Sequence, residues 1–335
     1  MDARRRVGSL DVNPIGLGCM NLDHAYGPPV SEEQGRAVLA TAIDMGVDFF
    51  DTATLYGGGL NEERLGRFIQ PHRRHVTLAS KCGMEILTVH GKKQRVINGR
   101  PDTLRRQCEN SLRRLQTDVI DLYYLHRWDK TVPIEDSVGA LADLVQRGCI
   151  RHIGLSEVSA QTLRKAHAVH PIAALQTEYS LWTRNAEIAV LQACEELEVA
   201  FVAFSPVGRG SLCGPMEVSA LRPGDIRLGM PRFQPDHWAA NTTVLSRFQR
   251  LAHQHGLSPA QLSLAWLLSR GPQVIPIPGT TQVSHLRDNL QASQHSLSPA
   301  LRAELDALFG PASISGNRYD QQASLEVDTE VFAST

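Results

Sequence analysis

The sequence predicts an α/β protein folded as a (β/α)8 barrel in one domain, and three observations carry that prediction. Short apolar runs alternate eight times with stretches of helical spacing, each pair taking about 25–40 residues, as right-handed parallel crossovers require. Three successive runs each end at a chemically capable side chain, Asp51, Lys81 and His126. Collecting such groups from the carboxyl ends of several strands is how a barrel of this kind builds a site. The 335 residues also show no linker and no low-complexity block. The barrel proper is assigned to residues 10–310 and a C-terminal tail to 311–335.

Residues 4–13, with Gly8 and Ser9 between short apolar segments, predict a hairpin covering the bottom of the barrel. Asn13–Gly18 is the first core strand and Cys19-Met20-Asn21 its exit. Ser31-Glu32-Glu33 starts the first helix, with a hydroxyl to cap free amides and acids near the positive end, and Gly46 stops it. Val47–Tyr56 is an apolar strand running into a loop, with Asp51 at its end. Tyr56 precedes Gly57-Gly58-Gly59, a run open to backbone conformations that other residues avoid. Asn61-Glu62-Glu63 starts a helix ending near Phe68. His75–Ser80 is the next strand, with Lys81 following it.

Glu85–Arg100 reads as a polar, solvated loop around Lys92 and Lys93. Pro101-Asp102 opens a helix whose Leu104, Cys108, Leu112 and Leu115 have helical spacing. Strand 119–125 ends before His126. Helix 134–147, strand 150–155, helix 159–169, strand 173–177, helix 186–197 and strand 199–204 follow. A long connection runs from Ser205 to about Asn241, then helix 243–256, strand 274–277 and helix 283–291. The helix at 298–308 and the tail from Gly310 lie outside the eightfold pattern.

Composition narrows the function. Hydrophobic residues make up 42% and charged residues 21%, ordinary for a globular protein. A net charge of −1 gives no long-range attraction to nucleic acid or to an anionic membrane. Six cysteines show no Cys-x-x-Cys, and no histidine pair has zinc spacing, so the expectation is reduced thiols in a cytoplasmic protein with no metal. No apolar run approaches the ~20 residues that span a membrane. The basic N-terminus has no apolar segment after it and is not a secretory signal.

The chain resembles the aldo-keto reductase superfamily over essentially its whole length, in its short-loop bacterial and plant branch. The matching stretches are Gly16–Met20, Phe50–Gly57, Leu78–Lys81, Ser111–Leu115, Asp118–His126, Gly154–Glu157, Phe204–Pro206 and Ile277–Thr280. The resemblance implies a catalytic tetrad of Asp51, Tyr56, Lys81 and His126. The residue types suit carbonyl reduction, which needs a proton donor for the developing alkoxide. A phenol of pKa ~10 is a reluctant donor, and a nearby ammonium is expected to lower that value. Asp51 would hold Lys81 charged, and His126 would orient the carbonyl oxygen.

The resemblance also implies NADP(H). Gly18, Cys19, Met20 and Asp51 would lie near the cofactor, with Ser156, Glu157 and Gln176 at the carboxamide. Phe204 would stack on the ring. Ser205, Pro206, Gly208, Arg209 and Gly210 would follow the pyrophosphate, and Arg222, Arg227 and Arg232 could sit in a lid. Gly279, Thr280, Thr281, Gln282, His285 and Asn289 would hold the adenosine end, where a helix N-terminus attracts phosphate. Gln282 and His285 replace the usual basic residues, which leaves NAD(H) open. Arg287 could turn inward to compensate.

A small carbonyl compound is the expected partner, in a pocket lined by Met20, Tyr26, Tyr56, His126 and Trp128, with the 209–240 loop or Tyr319 contributing. Two alternatives stand. A Schiff-base aldolase would use Lys81, against which the Asp51–Tyr56 pairing argues. A non-catalytic nicotinamide-binding regulator, like the potassium-channel β subunits, would not need an intact tetrad.

Overall fold

The computed structural model describes residues 4–89 and 91–332; Met1–Ala3 of the basic N-terminus, His90 of the polar excursion and Ala333–Thr335 of the tail lie outside the described residues. Eight parallel strands form one sheet in sequence order: β1 (Leu17–Gly18), β2 (Phe49–Asp51), β3 (Thr77–Cys82), β4 (Ile120–Leu125), β5 (Ile150–Ser156), β6 (Ile172–Glu178), β7 (Ala200–Phe204) and β8 (Val274–Pro276). The ring closes between first and last strand through Gly16 N–H donating to Pro276 O (3.0 Å) and Gly18 N–H to Pro278 O (3.4 Å). The barrel expectation holds.

The two-residue period of a strand sorts the core into two layers. Phe49, Ala79, Leu122, Tyr124, Ala174, Val202 and Ile275 fill the interior, while Phe50, Leu78, Tyr123, Ile153, Leu175 and Phe201 pack outward in the layer shared with the helices. The hairpin Arg5–Val7/Leu10–Val12 plugs the amino end as expected, for Val7 and Val12 join the interior cluster. Each such buried side chain contributes about 1.5–3 kcal/mol.

The first helix, Glu32–Asp44, begins on the Ser31 cap, whose hydroxyl accepts from Gln34 N–H. Three elements differ from the sequence reading. The segment read as a polar loop is an antiparallel hairpin, Met84–Val89 with Lys92–Ile97, whose Met84 and Ile97 pack against Ala53, Leu55 and Tyr56. The helix Pro259–Leu268 was not foreseen: it is buried from Pro259 through Leu267, so it lacks the one-sided pattern that marks a surface helix. The helix expected at 243–256 starts at Pro235 and runs to Gln254. Among the described residues, no helix is long and apolar enough to cross a membrane, and no cluster of His, Cys, Asp or Glu could hold a metal ion.

Candidate active site

The alternation that fills the barrel continues to the strand ends. Asp51 follows Phe49 on the inner face, Lys81 follows Ala79, His126 follows Tyr124, Gln176 follows Ala174 and Phe204 follows Val202. All five therefore stand at the carboxyl mouth, opposite the hairpin plug. Lys81 is inside β3, not beyond it. Tyr56 arrives by a turn in which Gly57, Gly58 and Gly59 take φ of +59°, +67° and +102°, a region that favours glycine.

These groups form one hydrogen-bonded unit. Lys81, fully buried, donates from Nζ to Asp51 Oδ1 (2.5 Å), to Thr52 O (2.9 Å) and to the Tyr56 hydroxyl oxygen (3.1 Å). The other Asp51 oxygen accepts from Gln176 Nε2 (2.8 Å). All three ammonium protons are thus used, and Tyr56, already an acceptor, keeps its own proton to donate.

Burial pulls the Lys81 ammonium toward neutrality, but Asp51 and Tyr56 outweigh it, so its pKa is raised. For Tyr56 the expectation of a lowered pKa is not met: burial raises it, and Lys81 offsets only part of that. Burial, then Arg127 and Lys81, push His126 well below the usual histidine value, so it is neutral near pH 7. Its Nδ1 is buried without a partner, which leaves Nε2 as the ring nitrogen to carry the proton toward the cavity. The His126 ring meets Tyr56 edge-on (5.9 Å between centroids), and His24 of the β1 exit loop stacks on the Tyr56 ring (5.8 Å).

The unit opens on a cavity of about 660 Å³. Gly18, Met20, Tyr26, Asp51, Tyr56, His126, Ser156, Gln176, Phe204, Ser205, Pro206, Arg209, Gly210, Gly279, Thr280, Thr281 and His285 line it. Cys19, Gly208 and Asn289 are buried outside the lining. Gln282 is the N-cap position of the helix Val283–Gln291 and makes no side-chain cap there, and Arg287 is exposed on that helix. Trp128 donates from Nε1 to Val132 O (2.9 Å) and packs on the outer core layer, away from the cavity.

Two other assignments meet competing partners. The Glu157 carboxylate pairs with Arg318 of the tail and accepts from Glu178 N–H (2.9 Å). Arg209 pairs with Glu178 (2.7 Å). Of the loop arginines, Arg232 donates to Trp182 O (2.6 Å) and to Gly316 O (3.1 Å), holding the tail, while Arg222 is exposed. Arg227 pairs with Asp225 (2.7 Å) and lies over the Tyr26 ring (5.1 Å), and Ile226 N–H donates to Ala25 O (2.9 Å). The long loop is thereby tied across the mouth to the β1 exit.

Tyr319, expected from the sequence to contribute, does line the mouth, but the rest of that wall was not foreseen. The tail crosses the mouth: Tyr319, Asp320, Ala323 and Glu326 face the cavity, and Glu326 pairs with Arg95 of the hairpin (2.5 Å). Lys130 Nζ donates to Leu325 O (3.0 Å) and Val327 O (2.8 Å), and Asp328 accepts from Ser159 N–H (3.1 Å). Arg127 and His24 also line the cavity; Arg127 adjoins His126 and His24 lies two residues before Tyr26, and that nearness was the available signal.

The profile of the Aldo/keto reductase family matches residues 14–309. "Probable aldo-keto reductase 1" of Glycine max is 40% identical over 310 residues, 92% of this chain and 89% of its own. "Aldo-keto reductase yakc [NADP(+)]" of Schizosaccharomyces pombe is 40% identical over 329 residues, 96% of each. Among solved structures, a glycerol dehydrogenase from Gluconobacter oxydans superimposes with a TM-score of 0.84 at 27% identity, covering 96% of this chain and 98% of that one. An aldo/keto reductase from Klebsiella pneumoniae in complex with NADP and acetate gives a TM-score of 0.72 at 30% identity, covering 95% and 99%. A cavity built on Asp51, Tyr56, Lys81 and His126 in a closed eight-stranded barrel, with relatives of this identity along nearly all its length, makes this chain a member of the aldo/keto reductase family.

Proposed function

We propose that the protein reduces an aldehyde or ketone to an alcohol with NADPH, with Tyr56 as proton donor. One observation carries this reading: Lys81 donates to the Tyr56 oxygen, so the only proton Tyr56 has left to give points away from Lys81. The relatives named for or bound to NADP support the cofactor.

The donor set fits a nicotinamide carboxamide. Ser156 Oγ accepts from Arg127 (3.2 Å) and keeps its hydroxyl proton to donate; Gln176 spends its amide on Asp51 and keeps its carbonyl oxygen to accept. Those are the two partners that a primary amide requires. The uncapped N-terminus of the helix Val283–Gln291, beside Thr280, Thr281 and His285, suits a phosphate. When bound, the cofactor supplies the hydride. Tyr56 O–H and His126 Nε2–H hold the carbonyl oxygen from two sides, which fixes the carbon for attack and shares the charge that develops on oxygen. Tyr56 then gives its proton, and the fixed Lys81 ammonium stabilises the phenolate left behind.

Lys81 has no exposed surface and no free donor, so it is poorly placed to attack a carbonyl as an aldolase lysine would. The test is a panel of aldehydes and ketones with NADPH and with NADH, read by nicotinamide absorbance. Turnover of at least one carbonyl class with NADPH is expected. Absence of turnover across the panel, in protein that binds NADPH, would overturn the reading.

A further inference from the structure

One arginine on the cavity wall forms no ion pair among the described residues. Among the described residues, Arg95 is paired with Glu326, Arg209 with Glu178 and Arg227 with Asp225. Arg127 lines the same cavity but reaches no carboxylate. It follows His126 directly, on the loop leaving β4. Its Nη1 donates to His126 O (2.7 Å) and Ser156 Oγ (3.2 Å), which fixes one corner of the guanidinium to the wall. Among the described residues, the rest of the fork has no protein acceptor.

That arrangement is costly unless an anion completes it. Half-buried, this guanidinium gives up hydration for two neutral acceptors on one nitrogen and no ion pair. The nicotinamide carboxamide is neutral and already suited by Ser156 and Gln176, so it does not use the charge. The phosphate-binding segment at Thr280–His285 belongs to a different part of the mouth, after the last strand. Arg127 instead shares the reacting end, where its charge acts on both the Tyr56 phenol and the His126 ring. A planar fork there matches a carboxylate through two parallel hydrogen bonds.

We propose that Arg127 is the specificity-determining residue for an anionic group on the substrate: the carbonyl compound reduced here carries a carboxylate, as in an oxo acid or a carboxylated aldehyde. The carboxylate sits on the Arg127 guanidinium while the carbonyl oxygen meets Tyr56 and His126. The surrounding wall of Met20, Leu55 and Met84 covers the apolar stem between them. This inference rests on the reading of the site as a carbonyl reductase.

The experiment compares matched pairs, 4-carboxybenzaldehyde with its methyl ester and succinic semialdehyde with butanal, using wild type, Arg127→Lys and Arg127→Met. A charge-assisted pair in a sheltered site contributes about tenfold to a hundredfold. Wild type is expected to prefer the carboxylated member of at least one pair by that factor in kcat/KM. Arg127→Met should bring the ratio to about one, and Arg127→Lys should keep part of it. A brace with no role in recognition would lower both members alike and leave the ratio in place, which would overturn the proposal. Equal turnover of both members by wild type would overturn it too, while leaving the reductase reading intact. If no aldehyde is turned over, the reductase reading fails, and the anion site is read by calorimetric titration of terephthalate into the NADP-containing protein. Binding by wild type that Arg127→Met loses then keeps the site; no binding by wild type, or equal binding by both, ends it.

Discussion

Replacing Asp51 by Asn removes the one negative charge that touches Lys81 and leaves the ammonium with no exposure to water. The asparagine has a single oxygen to serve both Lys81 and Gln176, which now bond to separate oxygens at 2.5 and 2.8 Å. Breaking a buried ion pair by removing one partner costs about 3–5 kcal/mol. Lys81 can limit that cost by giving up its proton. Without Asp51 burial dominates, and the folded pKa of Lys81 falls below its unfolded value. The sign follows from proton binding. In wild type the folded pKa is raised, so the pair stabilises the protein fully below the unfolded pKa and loses that contribution as pH climbs through the folded one. In Asp51→Asn the folded pKa lies below the unfolded one, so the unfolded chain binds more protons at pH values between the two, and stability rises with pH across that window. Urea unfolding followed by tryptophan fluorescence should show a deficit of about 3 kcal/mol or more near pH 6.5, shrinking toward about pH 9.5. A deficit under about 1 kcal/mol near pH 6.5, or one that does not change with pH, would refute the claim that Lys81 is a buried charge held by Asp51.

Three other perturbations test separate parts of the structure. His285→Arg puts a permanent, forked charge on the first turn of a helix that faces the cavity, and should tighten NADPH about tenfold or more while changing NADH little; equal changes for both, in fluorescence titrations, would place the adenosine phosphate elsewhere. Arg318→Ala leaves Glu157 buried without its partner and should cost about 3–5 kcal/mol in urea unfolding. The freed tail should also be cut faster in limited proteolysis, and unchanged stability and cutting would show that the latch is idle. Gly66→Ala would put a Cβ 2.4 Å from Arg114 O and 2.7 Å from Leu115 Cα, backbone atoms that cannot swing aside. Overpacking of about 1–3 kcal/mol should exceed the helix-propensity gain of up to about 1 kcal/mol, so a stabilised variant in thermal unfolding contradicts the close approach.

Much of the barrel was legible because its strands and most helices carry their own period. Val38, Leu39 and Ala42 mark one face of Glu32–Asp44, and the glycine turn after Tyr56 announces itself in three letters. The helix Pro259–Leu268 was invisible to that reasoning, since a helix buried all round has no polar face to set the period, although its Ser258–Gln261 capping box was there to be read. The hairpin at Met84–Ile97 was hidden by its polar composition. The grouping of Asp51, Tyr56, Lys81 and His126 could be read because each member ends a strand or follows one closely. Its energetics could not: whether burial or Lys81 dominates at Tyr56 depends on how much chain covers the phenol, and part of that cover comes from the hairpin. The pairing of Glu157 with Arg318, 161 residues apart, has no local signal, so Tyr319 could be offered for the pocket but the latch that holds the tail there could not.

The central claim is that Tyr56 gives the proton while the other groups only shape and hold it. Tyr56→Phe deletes one oxygen and keeps the ring that packs beside Ala53, Leu55 and Met84. Measured as single-turnover NADPH oxidation with the best carbonyl substrate of the panel, the variant should be slower by about a hundredfold to ten-thousandfold, with the NADPH dissociation constant within about threefold of wild type. A rate within about fivefold of wild type, in a variant that binds NADPH normally, would contradict it.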